Sequence, residues 1–418
     1  MRTAVIGAGW AGLACAVEAT RLGHAVTLYE AAHMAGGRAR RVDHMHGMAL
    51  DNGQHILIGA YTATLKLMRD VGVDVDSALL RMPLSLRFAD GGGLKLPRLP
   101  APLDLLAGIF TARGWTWRDK STLLRTAVQW RLAGFRCAAG TTVAALCTGL
   151  TPRVMQELIE PLCVSALNTP VDQSSGEVFL RVLRDALFSG SGGADLLIPR
   201  VDLGALFPDA ALAWLTQHGA TLHIGTRVRA ISAEGGQWRV DGECFDRVVL
   251  ACAPWDAARL VRASGLAERW CESTEALRFE AIATVYLRGA TRLAEPMLAL
   301  RSHPATAPAQ FVFDRSQLGG PEGVLAMVVS ANETPRDALE HQVMAQAAAQ
   351  LGQTSLQLVQ TVVEKRATFA CTPALVRPPA KIAHGLLACG DYTEGPYPAT
   401  LEGAVLSGLA AGNALKTP

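Results

Sequence analysis

The sequence predicts an α/β protein organised around a Rossmann-type dinucleotide-binding domain. Three observations predict it. Residues 3–13 read as a strand, a glycine-rich turn and a helix, with Gly7, Gly9 and Gly12 at the spacing of a phosphate-binding fingerprint. A second strand, residues 25–29, closes on Glu30, where a carboxylate can take both hydroxyls of an adenosine ribose. At the far end, an apolar strand over residues 385–389 runs to Gly390 and Asp391, and a final helix is opened by Thr400 and Leu401.

Each element follows from local chemistry. Gly7 permits the tight turn, Gly9 lets backbone approach a pyrophosphate, and Gly12 lets the helix pack close to its strand. The helix opened by Trp10 and Ala11 turns its free N–H groups and the positive end of its dipole toward the phosphates. After Glu30 and Ala31 come Gly36, Gly37 and Arg38, a second place where glycine backbone and a guanidinium can meet a pyrophosphate. Residues 61–71 form an amphipathic helix, and residues 84–96 a hairpin around Asp90 to Gly93. Residues 97–104 are a proline-rich linker, and periodic Leu, Ala and Val give helices over 103–190. Residues 209–218 are helical and 220–224 a strand; residues 227–231, 238–240 and 245–253 follow as ribbon pieces. The last of these is nearly continuous in apolar residues, as a strand buried on both faces requires. Residues 282–287 and 324–330 are strands, and Thr334 caps a helix over 335–351.

Composition narrows the function. With 418 residues the chain can bury a large core and form two domains. Net charge is +2, so no global field draws it to nucleic acid. Charged residues are 18 %, below the usual share of about 25 %, and mean hydropathy is +0.22. Two readings fit: an alanine- and leucine-rich globule, or extra apolar surface lining a lipid tunnel. Nine cysteines without a CxxC pair fit a reducing cytoplasm, and no metal-ligand set is assigned. The N-terminal apolar stretch is glycine-broken and belongs to the fingerprint, so it is not read as a signal peptide; no run of about 20 apolar residues predicts a transmembrane helix.

GxGxxG with its acid, then GGR, then a C-terminal GD and helix resemble the flavin amine oxidase and phytoene desaturase superfamily. Residues 50–59, 96–102, 166–170, 199–203, 363–373 and 390–403 are similar to the hydroxysqualene dehydroxylases of bacterial hopanoid synthesis, FAD-dependent enzymes, and the resemblance spans almost the whole chain. It implies a glutathione-reductase-like FAD-binding domain made of 1–80, 196–255 and 384–418, with an inserted α+β substrate domain at 81–195 and 256–383. It implies FAD held by Gly7, Gly9, Trp10, Ala11, Gly12, Glu30, Ala31, Gly37, Arg38, Gly53, Gln54, His55, Gly390, Asp391, Thr400 and Leu401, with Val228 against adenine. The family reaction reduces the C30 isoprenoid hydroxysqualene to squalene: proton-assisted loss of water, then hydride from reduced flavin.

His55 and Tyr397 are the candidate proton donors, with Asp51 and Glu402 as further options. No second nicotinamide fingerprint exists, so NAD(P)H at the flavin and a partner protein both remain open as electron source. Between residues 103 and 136, Arg113, Arg118, Lys120, Arg125, Arg131 and Arg136 interleave with Trp115, Trp117, Trp130 and Phe135, which suits peripheral contact with the inner face of the cytoplasmic membrane. The pathway also implies association with squalene-synthase-like enzymes. Three rivals stand: a desaturase acting oxidatively on squalene or a carotenoid precursor; an amine oxidase, for which residues 282–287 lack the usual lysine; and a non-catalytic lipid-carrying flavoprotein.

Overall fold

The computed structural model describes residues 1–42, 48, 50–188, 190 and 192–415; the last three residues of the expected 384–418 segment lie outside them. The N-terminal strand Arg2–Ile6 is buried from Thr3 onward and lies inside a six-stranded sheet. Across that sheet run Thr221–Ile224, Ala25–Glu30, Arg2–Ile6, Arg247–Leu250, Leu386–Ala388 and Lys381–Ala383. The first five are parallel and the last is an antiparallel edge. Ile6 stands beside Tyr29 on one side and Leu250 on the other. The strand ends that lead to Gly7, Glu30 and Ala251 therefore sit together, at the end where open α/β sheets take ligands.

Close backbone approach joins the two ends of the chain. A Cβ on Gly12 would lie 1.9 Å from the Gly7 carbonyl oxygen, so only glycine lets the helix Trp10–Arg21 settle on its strand. A Cβ on Gly408 would lie 2.1 Å from the Ala11 carbonyl oxygen. The last helix, Leu401–Ala414, thereby packs backbone-close against the first, and Leu13, Val17, Val405 and Leu415 share one core.

A second layer is a five-stranded antiparallel sheet in the order Met297–Ala299, Phe311–Asp314, Val324–Ser330, Phe279–Arg288 and Gln357–Phe369. Alternation along it sends Ala283, Val285 and Leu287 against the helix Arg336–Leu351, and Tyr286, Phe311 and Phe313 into a core shared with Phe179 and Ile159. Helices Leu103–Thr111, Trp117–Leu132 and Gly176–Phe188 cover that side, and the expected hairpin is formed by Ser85–Arg87 and Gly93–Lys95.

Two expectations need correction, and one strand was missed. Thr334 is not the helix cap: Pro335 takes that position, with its fixed φ suited to a helix start, while the Thr334 N–H donates to Asn332 Oδ1. Residues 227–230 make no ladder, because the Arg229 and Ala230 N–H groups donate to the Asp241 carboxylate; the ribbon begins at Ile231–Glu234. The strand Gln357–Phe369 was not anticipated, because Gln360, Glu364, Lys365 and Arg366 break its apolar alternation.

Candidate functional site

A cavity of about 730 Å³ follows the carboxyl ends of the parallel strands and continues between the two sheets. Its walls bring together segments that are far apart in sequence: Gly7, Gly9 to Ala11, Glu30 and Ala31, Gly37 and Arg38, Gly53 to His55, Val228, Gly390 and Asp391, and Thr400 and Leu401. Of the residues expected at the cofactor, Gly12 alone is outside the lining; its contribution is the helix packing described above.

The groove has the donor set of a dinucleotide cradle. The helix Trp10–Arg21 starts at Gly9 with no side chain capping its first turn and no acid within it, so its N–H groups and dipole face the cavity unneutralised. The Glu30 carboxylate is fixed by two backbone donors, Ala8 N–H at 2.7 Å and Ala32 N–H at 2.8 Å. Each oxygen keeps a lone pair for a ribose hydroxyl. The Trp10 ring lies under the groove, its Nε1–H donating to the Ala39 carbonyl at 3.1 Å. The buried Val228 carbonyl accepts from Arg259 at 3.2 Å.

Arg38 and Asp391 form an ion pair across the cavity wall, and Arg38 also donates to the Ala367 carbonyl at 2.7 Å. Burial works against the Arg38 charge, and the Asp391 carboxylate together with Glu364 offsets it, so the guanidinium pKa is held above its ordinary value. Asn52, beside them, donates to Glu364 at 3.0 Å. Gln54 is held by the buried Arg315 at 2.9 Å.

The four proton-donor candidates separate. His55 lines the cavity with Nδ1 3.1 Å from the Gly53 carbonyl, and burial lowers its pKa. Tyr397 lines the cavity with its hydroxyl donating to Asp185 Oδ2 at 2.9 Å. Burial, together with that hydrogen bond, pushes the phenol up to about 12. Asp51 is outside the lining: it accepts from the Leu203 N–H at 2.9 Å, faces Arg315 at 3.7 Å, and burial raises its pKa to about 6. Glu402 is 3 % exposed and caps the helix Thr62–Asp70, accepting from the Ala63 and Thr64 N–H groups at 2.9 Å. Asp51 and Glu402 are thus committed to holding backbone.

Beyond the cradle the lining turns apolar: Leu84 and Leu86 of the hairpin, Phe179 and Leu183 of the helix Gly176–Phe188, and Phe311 and Phe313 of the second sheet. These, with Asp185, Asn168 and Glu364, are site residues that the motifs did not supply. Asn168 and Glu364 carried a signal, as residues within the family-like segments 166–170 and 363–373.

The comparisons with known proteins agree with this geometry. A hydroxysqualene dehydroxylase of Rhodopseudomonas palustris is 27 % identical over 98 % of this chain and 99 % of its own length. A zeta-carotene desaturase of Synechocystis is 42 % identical, over 29 % of this chain and 25 % of its own. The crystal structure of an oxidoreductase from Methanosarcina mazei superposes with a TM-score of 0.72 at 18 % identity, covering 98 % of this chain and 99 % of that one, which establishes the shared fold. The family description "Flavin containing amine oxidoreductase" matches residues 10–415. That match covers both ends of the groove, and the chain belongs to the flavin-containing amine oxidoreductases and is an FAD-dependent oxidoreductase.

Proposed function

We propose that this protein reduces hydroxysqualene to squalene. The observation that carries the reading is the apolar arm of the cavity, continuous with the FAD cradle and walled by Leu84, Leu86, Phe179, Phe311 and Phe313. Such walls suit a hydrocarbon chain, whose burial is favourable at about 25 cal/mol per Å². The full-length similarity to a hydroxysqualene dehydroxylase supports the same substrate, whereas the desaturase relative matches a fragment. The cofactor unit on this reading is 1–80, 196–255 and 384–418, with the substrate unit between.

FAD held by the Gly7 and Gly9 turn, Glu30 and Arg38 would, when reduced, supply a hydride to the allylic carbon. The chain's own work is to exclude water, orient the alcohol and deliver a proton to a poor leaving group. His55 is ill suited to that last task. A carbonyl only accepts, so Nδ1 carries the hydrogen toward Gly53 and Nε2 is left as an acceptor on a neutral ring. Tyr397 bears a hydroxyl at the cavity wall and is assigned the proton-bearing role. Product analysis tests the reading: reduced protein with hydroxysqualene yields squalene. Bleaching of oxidised protein by squalene or a carotenoid precursor, without that product, supports the desaturase instead.

Access from a lipid surface belongs to the same proposal. Among the described residues no helix is long and apolar enough to cross a membrane. Seven of the twelve large apolar side chains exposed there lie between Leu99 and Leu132, which makes one face unusual. Leu103, Leu106 and Phe110 share one side of the helix Leu103–Thr111, and the Phe110 ring meets Trp117 at 6.2 Å. Trp117 is 75 % and Leu132 83 % exposed, with Arg118, Arg125 and Arg131 beside them. Trp115 and Trp130, counted in the basic–aromatic stripe of the sequence, instead turn into the core. The hairpin behind this face carries Leu84 and Leu86 of the cavity. We take an anionic bilayer as its occupant. Flotation with phosphatidylglycerol vesicles at low salt is the expected result, and absence of flotation there contradicts it.

A further inference from the structure

We propose that Arg315 is a positioning residue: it turns the Gln54 amide so that its NH2 group faces the cavity and holds the hydroxyl oxygen of the substrate. The inference rests on the allylic-alcohol reading above. Gln54 lines the cavity between Gly53 and His55, and Arg315, 3 % exposed, lies behind it. Arg315 follows the strand Phe311–Asp314, whose Phe311 and Phe313 wall the apolar arm. Gln54 thus belongs to a loop of the cradle and is tied to a strand of the arm, which places it where the two meet.

The chemistry of Arg315 fixes which end of the amide the cavity meets. A guanidinium only donates, and Arg315 Nη1 lies 2.9 Å from Gln54 Oε1, so the amide oxygen is turned toward the arginine. Among the described residues that oxygen is the one hydrogen-bond acceptor of the guanidinium, which the Asp51 carboxylate faces at 3.7 Å. A flipped amide would set NH2 against a buried cation and leave the cation without its acceptor, a costly arrangement. No described residue accepts from Gln54 Nε2, so its hydrogens are available to a ligand. A neutral amide suits a leaving oxygen: it orients the alcohol and favours the electron density that gathers on oxygen as the C–O bond stretches.

Both partners are held in place before a ligand arrives. On one side, Asp314 caps the short helical turn Arg315–Leu318. Its carboxylate accepts from the Leu293 N–H at 3.0 Å, the Ser316 N–H at 3.1 Å and Gln317 Nε2 at 2.8 Å. On the other side, the buried Tyr286 hydroxyl donates to the Asp51 carbonyl at 3.0 Å, and Asn52 is tied to Glu364. Specificity follows from this rigidity. A fixed donor gains a hydrogen bond from the alcohol and none from the hydrocarbon product, so the substrate is bound in preference and squalene leaves more readily.

The test is a ratio of affinities. Oxidised holoenzyme, which has no hydride to give, is titrated with hydroxysqualene and with squalene in detergent micelles, and the change in flavin absorbance reports binding of each. Wild type should prefer the alcohol by about tenfold or more, the worth of a buried hydrogen bond. Gln54→Met, of similar volume, should bring the ratio close to one. Arg315→Met, combined with Asp51→Asn to remove the facing carboxylate, should do the same, and adding Gln54→Met to it should lower the ratio no further. Arg315→Lys, which keeps a donor, should retain part of the preference. In single turnovers at equal FAD content, Gln54→Glu should slow squalene formation by about 100-fold, the loss typical of one oxyanion donor, because it keeps the Arg315 partner and offers the cavity only acceptors. An arginine with a structural role alone would lower both affinities and leave their ratio standing. A wild-type ratio near one, or a ratio that survives Gln54→Met or the loss of Arg315, overturns the assignment; so does loss of FAD from Gln54→Met with the ratio intact. Failure of wild type to make squalene sinks the functional reading instead, while the ratio still reports whether Gln54 reads the hydroxyl.

Discussion

Glu30 holds its carboxylate with the Ala8 and Ala32 N–H groups before any ligand arrives, and this pre-organisation is what a ribose site needs. Glu30→Ala removes two acceptors for hydroxyls and leaves those donors unpaired. Titration of the apoprotein should show FAD binding weakened by roughly tenfold or more, the worth of a hydrogen bond to a charged group. Asp51 makes a different prediction. Its folded pKa of about 6 lies above the ordinary 3.8, a shift worth about 3 kcal/mol. Because the shift is upward, the stability it brings is complete below the unfolded pKa and is lost as pH rises through about 6. Urea unfolding at pH 4 and pH 7 should show wild type losing about 2 kcal/mol relative to Asp51→Asn across that window. At this scale the fingerprint glycines and Glu30 were readable because their chemistry is local. Asp185 was not: its partner is 212 residues away, and nothing around it in sequence differs from an ordinary amphipathic helix.

The two terminal helices meet through a missing side chain. Gly408→Val would drive a branched Cβ into the Ala11 carbonyl, which now lies 2.1 Å from where that atom must go. Overpacking of this kind costs about 1–3 kcal/mol. The variant should melt lower and retain less FAD than Gly140→Ala, whose added methyl meets nothing within 4 Å. For the exposed face, Phe110→Ser with Trp117→Ser should abolish vesicle flotation while leaving FAD content unchanged, since neither residue touches the cavity. Elements with a clean period were legible in sequence, among them the central parallel strands, the hairpin and the last helix. The strand Gln357–Phe369 was hidden because it pairs with a single neighbour, Phe279–Arg288, and so tolerates charge along its length. The stripe of Trp115 and Trp130 misled for the converse reason: aromatic residues beside arginines on a helix do not reveal which face is covered, and here Leu123 and Phe179 cover it.

On the scale of the whole molecule, the chain leaves its nucleotide sheet after Glu30, builds a helical cover, returns with Thr221–Ile224 and Arg247–Leu250, leaves again to build a second sheet, and comes back with Leu386–Ala388 and the final helix. That return puts Asp391 and Thr400 on the groove opened by Gly7 and Glu30, and it sets an apolar arm beside them. The return was legible because the C-terminal strand, acid and helix repeat the chemistry of the N-terminus; the arm's walls were not, since ordinary core residues such as Phe311 and Leu183 compose them. The central claim is that this combined cavity uses reduced FAD to replace an allylic hydroxyl by hydrogen. The most direct measurement is one anaerobic turnover: photoreduced protein mixed with hydroxysqualene, with flavin absorbance and extracted lipid followed together. The account predicts that the oxidised flavin spectrum returns as squalene accumulates, one molecule per flavin. A flavin that stays reduced, or one that reoxidises without squalene, would contradict it.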